Sequence, residues 1–242
     1  MNETIQLLLN HVSVRKYKDQ KLTKEQIDLL LKAAQAASSA SHEQAYSIIE
    51  VTDPEIRKQL VEPCGGQEWT TQGHYFVFCG DFHRHKELAK KYNIDIQDSL
   101  ESVDTVVKGV VDATFAAQNF IIAAESMGLG VCVIGGVRDG IETVDKLLEL
   151  SENVFPVFGL VVGYPDERND SKPRLPQDAI YHLNTYETNK EKALNEYDEI
   201  TKEYYKKRNK NRMWSLSAVQ SFARYPRLYI TDYLRRKGWA KK

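Results

Sequence analysis

The sequence predicts an α+β fold in which helices pack on both faces of a small mixed or antiparallel sheet. Three observations carry this. The apolar runs of strand length are few and short. Long stretches with helical periodicity separate them. Their alternation is irregular, with no clean β-α-β unit to demand a parallel sheet.

Ile5, Leu8, Leu9 and Val12 recur at i, i+3, i+4 and i+7, a short helix that stops near Asn10-His11. Thr23-Lys24-Glu25-Gln26 is a capping box, with Thr23 as N-cap and Gln26 at the third helical position. The helix it opens carries Ile27, Leu30, Leu31 and Ala34 on one stripe and ends in the small residues 36–41. Tyr46 to Thr52 reads as a strand, Asp53-Pro54 starts a helix to about Val61, and residues 63–67 form a loop. Tyr75 to Cys79 is a buried strand. A long helix over roughly 103–127 is apolar on a broad face and rich in alanine, which suits a central element packed on several sides. Strands follow at 131–134 and 156–162, with a helix from Ile141 to Leu150 between them. A loop at about 164–180 precedes a polar helix with Leu194, Tyr197, Ile200 and Tyr204 on one side. Two amphipathic segments, around 215–224 and 228–237, end the chain.

With 242 residues the chain can bury a sizeable core as one domain, 1–242, in which 187–242 is a more polar arm expected to wrap another surface such as a second subunit. The net charge of −1 argues against a dedicated nucleic-acid binder, and no stretch reads as the 18–20 apolar residues of a membrane span. With no secretory signal in Met1 to Ile5, the expected location is cytoplasmic. Cys64, Cys79 and Cys132 include no C-x-x-C pair and read as reduced thiols. The last two read as core residues, whereas Cys64 sits beside Gly65-Gly66 in a loop, where a reactive thiol is the minor alternative. His83-Arg84-His85 has weak metal-ligand spacing, and no metal is expected.

Two segments concentrate charge. In His11-Val12-Ser13-Val14-Arg15, an extended backbone would point His11, Ser13 and Arg15 one way and the valines the other. In Lys172-Pro173-Arg174-Leu175-Pro176 two prolines stiffen a pair of cations. Together they supply four potential cations and a hydroxyl, which suits one phosphate and one electron-rich ring. The serines at 38, 39 and 41 are either a frayed helix end or donors to a polar ligand. Gln67 is either a turn residue or a match for the imide edge of a pyrimidine-like ring. Gly128-Leu129-Gly130 follows a helix and opens a strand, the reverse of a dinucleotide fingerprint, so Gly128 reads as a helix C-cap. Gly135-Gly136, at the far end of that strand, is either a turn or a ligand contact. The run from Lys206 to Arg212 holds five basic residues in seven, either a solvated loop or a clamp for a phosphorylated ligand.

Taken in order, these motifs, with Ala124-Glu125-Ser126 before Gly128, Tyr204-Tyr205-x-x-Arg208 and Asp232-Tyr233-Leu234, resemble the oxygen-insensitive nitroreductase and NADPH–flavin oxidoreductase family, in its NADPH-preferring branch. The resemblance spans essentially the whole chain. It implies a nitroreductase-like fold, a small mostly antiparallel sheet flanked by helices, in an intertwined FMN-dependent homodimer with the active site at the subunit interface. It further implies that His11, Ser13 and Arg174 serve the FMN phosphate and that Arg15 and Lys172 lie near N1/O2 of the isoalloxazine. Ser39, Ser41 and Gln67 would meet the polar ring edges or the ribityl chain. Ile134, Gly135 and Gly136 would pass along the ring, and Arg208, with Arg212, would bind NADPH. Three departures touch substrate preference: Val12 where relatives often have arginine, Ala40 interrupting the serine run, and Val133 where tyrosine often lies beside the flavin.

The implied chemistry is two-electron, ping-pong reduction of nitroaromatics, quinones or free flavin. The flavin carries the hydride, Arg15 and Lys172 tune it, and no side-chain acid, base or nucleophile is needed. A disulfide or nitrosothiol as main acceptor is the first rival. A nucleic-acid-binding regulator using the 206–212 run is the second.

Overall fold

The structure, a computed structural model, describes residues 1–224 and 226–242. In chain order the helices are α1 (Glu3–Leu9), α2 (Lys24–Gln35), α3 (Pro54–Gln59), α4 (His83–Tyr92), α5 (Gln97–Glu101), α6 (Val103–Ser126), α7 (Ile141–Leu147), α8 (Gln177–Ile180), α9 (Glu191–Lys206), α10 (Trp214–Arg224) and α11 (Tyr229–Arg236). The strands are β1 (Tyr46–Val51), β2 (His74–Asp81), β3 (Gly130–Ile134) and β4 (Val154–Gly163). The chain divides into two compact units, one of residues 1–169 with 227–242, the other of residues 170–226.

The first unit holds the sheet, in the order β1-β2-β4-β3 with every neighbouring pair antiparallel. Successive residues of β2 point to opposite faces, and both faces are covered. Phe76 and Phe78 join α2 and α6 residues such as Leu30, Ala113 and Phe120 in one core. Tyr75, Val77 and Cys79 join Leu60, Cys64 and Val144 in the other. This is why the strand reads as an unbroken apolar run rather than an alternation.

α6 crosses one face of the sheet and buries nine of its 24 residues. By length and composition alone it is apolar enough to cross a membrane, which corrects the expectation that no stretch is. Its alanines and glycine allow close approach to the sheet, so a helix of spanning hydropathy becomes the core helix here. Its end is a full Schellman motif. Leu129 N–H donates to Ala124 O and Gly128 N–H to Glu125 O, both at 3.0 Å, with Gly128 at φ +76°. At α2 the capping box is present in both directions. Periodicity did not announce α4, whose apolar residues Leu88 and Tyr92 are exposed and form no buried stripe, nor the five-residue α5, which buries only Leu100. The chain end returns to this unit through Trp239, fully buried edge-on against Phe82 and Phe155.

In the second unit α9 and α10 pack together, with Tyr197 edge-on to Trp214 at 5.6 Å. Asp198 of α9 accepts the Ser215 N–H at 2.9 Å and its hydroxyl, and so caps the first turn of α10.

Candidate functional site

Residues 13–14 run alongside the β3 edge. Val14 N–H donates to Val131 O at 2.8 Å, and Ser13 forms a parallel bridge with Val131. Val14 is 1% exposed, while Arg15 is exposed, so the expected alternation holds from Ser13 to Arg15. A Cβ on Gly130 would stand 2.6 Å from Val14 Cγ2, which explains why glycine opens β3. Arg15 lies over the Trp69 ring at 5.7 Å. His11 leaves the α1 terminus and its Nδ1 meets Glu125 Oε1 of α6 at 2.7 Å.

Ser39 and Ser41 occupy the loop after α2. Ser41, His42 and Gln44 all have positive φ, a conformation that costs on the order of 1–3 kcal/mol at each non-glycine residue. Asp112 of α6 holds this loop. Fully buried, its carboxylate accepts the N–H groups of Ala40 and Ala45, each at 2.8 Å. Ser39 Oγ accepts from Gln44 N–H at 3.3 Å.

The loop of residues 63–67 packs on the end of β3. Gln67 Nε2 donates to Cys64 O at 2.6 Å, and a Cβ on Gly136 would sit 2.1 Å from that same oxygen. Gly136 is thus demanded by packing, whereas a Cβ on Gly135 would meet nothing closer than 3.6 Å. Ile134 turns its side chain into the core, and Val133, 48% exposed, presents the outward surface of β3. Cys64 is buried beside Tyr75, its Sγ 3.8 Å from the Tyr75 hydroxyl. Burial pushes its thiol up to about 11, which argues against a reactive loop thiol.

In the second unit, Lys172 and Arg174 are both exposed on an extended segment. The buried Tyr197 hydroxyl donates to Pro173 O between them at 2.8 Å, which fixes the backbone that carries both cations. Arg208 stacks on Tyr204, 3.9 Å from the ring centroid, and pairs with Asp170 at 2.8 Å. Arg212 lies over Tyr205 at 5.4 Å and donates to Ser217 Oγ at 2.8 Å.

The first unit therefore assembles Arg15 on Trp69, and Gln67 against Gly136. Lys172, Arg174, Arg208 and Arg212 all lie in the second, Arg208 on Tyr204 and Arg212 on Tyr205. Sequence reasoning did not single out Trp69 or Asp112, and it read Tyr197 only as part of a helix stripe and Glu125 only as part of a motif. The visible signal for the two acids was a carboxylate within an otherwise apolar helix. Hydroxyl, amide and imidazole groups, an open glycine and a strained, braced serine loop are of the kinds that suit a flavin with a phosphate tail.

The Nitroreductase family model matches residues 8–164, and that family's C-terminal domain matches residues 172–242. The chain is 44% identical over 248 residues to an FMN reductase (NADPH) of Bacillus subtilis and 39% identical over 246 residues to an oxygen-insensitive NADPH nitroreductase of Salmonella typhimurium, with all of each chain covered. The solved structure of the NfrA1 nitroreductase from B. subtilis matches with a TM-score of 0.97 at 43% identity, covering 99% of this chain and 100% of that one. The chain belongs to the nitroreductase family and is an FMN-dependent NAD(P)H oxidoreductase.

Proposed function

We propose that the protein is an NADPH-preferring reductase of nitroaromatics, quinones or free flavin that works by a two-electron ping-pong cycle. Bound FMN supplies the hydride-accepting and hydride-donating chemistry. His11, Ser13 and Arg174 hold its phosphate, and Ser39, Ser41 and Gln67 offer hydrogen bonds to the ribityl chain and ring edges. Ile134, Gly135 and Gly136 contribute backbone. Arg15 and Lys172 offset the negative charge that reduction brings, and charges fixed beforehand do so without reorganisation. Arg208, with Arg212, takes the 2′-phosphate of NADPH. The nucleotide leaves before the acceptor enters. Support comes from relatives described as an FMN reductase (NADPH) and an oxygen-insensitive NADPH nitroreductase.

One observation carries this reading. Buried anchors set the backbone of both cationic segments, Val14 on Val131 beside Arg15, and Tyr197 on Pro173 between Lys172 and Arg174. Such anchoring is what presenting fixed charge to a ligand requires.

We also propose a homodimer. Domain 1–242 acts as one FMN-binding unit whose segment 187–242 reaches toward the partner. Val103, Val107 and Phe115 of α6 and Leu8 and Leu9 of α1 are exposed apolar side chains suited to an interface.

Steady-state kinetics with both nucleotides test the NADPH assignment. Arg208→Ala removes a charge-assisted contact, so KM for NADPH rises about tenfold or more while that for NADH changes far less. An equal rise for both nucleotides would overturn the 2′-phosphate assignment.

A further inference from the structure

Glu125 is placed where helix electrostatics disfavour it. It lies in the last turn of α6, which carries no basic residue, so its carboxylate sits at the negative end of a 24-residue helix. Its side chain is only 10% exposed. A buried carboxylate at such a position needs a compensating partner. Among the described residues its side chain has one, His11 Nδ1 at 2.7 Å, reached from 114 residues away. His11 itself follows the C-terminus of α1, a second place where a cation is favoured and an anion is not.

The consequence lies in the other ring nitrogen. A carboxylate only accepts, so the pair fixes Nδ1–H as the donor toward Glu125. His11 Nε2 makes no hydrogen bond among the described residues, and a third of the side chain is exposed. With Nδ1 held by Glu125 the ring plane is fixed, and Nε2 is the nitrogen left to meet a ligand.

We propose that Glu125 is a positioning residue for the flavin phosphate. It orients the His11 ring, so that Nε2 is directed at the phosphate. This rests on the reading above that His11 serves the phosphate.

The test compares FMN with riboflavin, which has the same ring and ribityl chain but no phosphate. Each is titrated into the full-length apoprotein by quenching of flavin fluorescence, and the readout is the ratio of riboflavin Kd to FMN Kd. Glu125→Gln, which removes the charge, lowers that ratio about tenfold, leaving riboflavin binding within about twofold. Glu125→Asp keeps the charge but draws it back by one methylene, and lowers the ratio by a smaller factor. It is the variant to use should Glu125→Gln not fold. In the His11→Ala background Glu125→Gln lowers the ratio no further. Equal weakening of both ligands, or an unchanged ratio in a folded Glu125 variant, would overturn the proposal and show a structural role only. If His11→Ala lowers the ratio while the Glu125 variants do not, only the Glu125 inference falls. If His11→Ala leaves the ratio unchanged, the phosphate reading falls and takes the inference with it.

Discussion

Cys64 shows how much placement decides about a residue. Beside two glycines in a loop it has the local sequence of an accessible thiol. The loop folds back against Tyr75 and Gly136, and the side chain is fully buried. Burial disfavours the thiolate and raises the thiol to about 11, with the Tyr75 hydrogen bond acting weakly the other way. The sign is clear: below that value the group is a neutral thiol and a poor nucleophile. Burial raises Cys79 and Cys132 as well. Native protein at pH 8 should therefore resist alkylation by iodoacetamide at all three cysteines and react fully in urea. Fast labelling of Cys64 in the native state would contradict its placement. A thiol held this way is no relay to a disulfide acceptor, which removes one structural reason for the rival acceptor class.

The elements position the site through contacts that link distant parts of the chain. α6 supplies two carboxylates for this, Asp112 under the serine loop and Glu125 against His11. Asp112→Ala would strand two buried N–H groups beneath a loop already strained at Ser41, His42 and Gln44. It is expected to cost about 2–4 kcal/mol in urea unfolding and to speed FMN dissociation. A variant as stable as the parent would show that the loop does not depend on this brace. The same contacts explain what sequence could and could not reveal. The capping box at Thr23, the C-cap at Gly128 and the four apolar strands were legible because their signals lie within a few residues. So was the alternation from Ser13 to Arg15, since such a pattern along an extended backbone is local. Asp112 and Glu125 were not legible in role, because their partners lie 72 and 114 residues away at Ala40 and His11. Nor was α4, whose apolar residues stay exposed. Of the glycine pair after β3, sequence offered turn or ligand contact. The packing answers differently for each, since Gly136 is filled by the Cys64 carbonyl and Gly135 remains open.

At the scale of the whole molecule, the antiparallel α+β core carries exposed apolar helix surfaces. Exposed apolar residues at Val103, Val107 and Phe115 on the core helix are costly for a lone chain and natural for a paired one. Light scattering should give about twice the chain mass of 27.8 kDa, and Val107→Asp with Phe115→Asp should shift the protein toward monomer with loss of flavin. A double variant that keeps the parental mass would place the interface elsewhere. The central claim is that these residues make one FMN site reduced by NADPH. Its most direct test is the visible spectrum of the purified protein, followed by anaerobic addition of NADPH and then by denaturation. The expected result is a yellow protein whose flavin band is bleached by NADPH, and release of one FMN per chain on denaturation. A colourless protein that cannot be reconstituted with FMN, or a bound flavin that NADPH leaves oxidised, would contradict it.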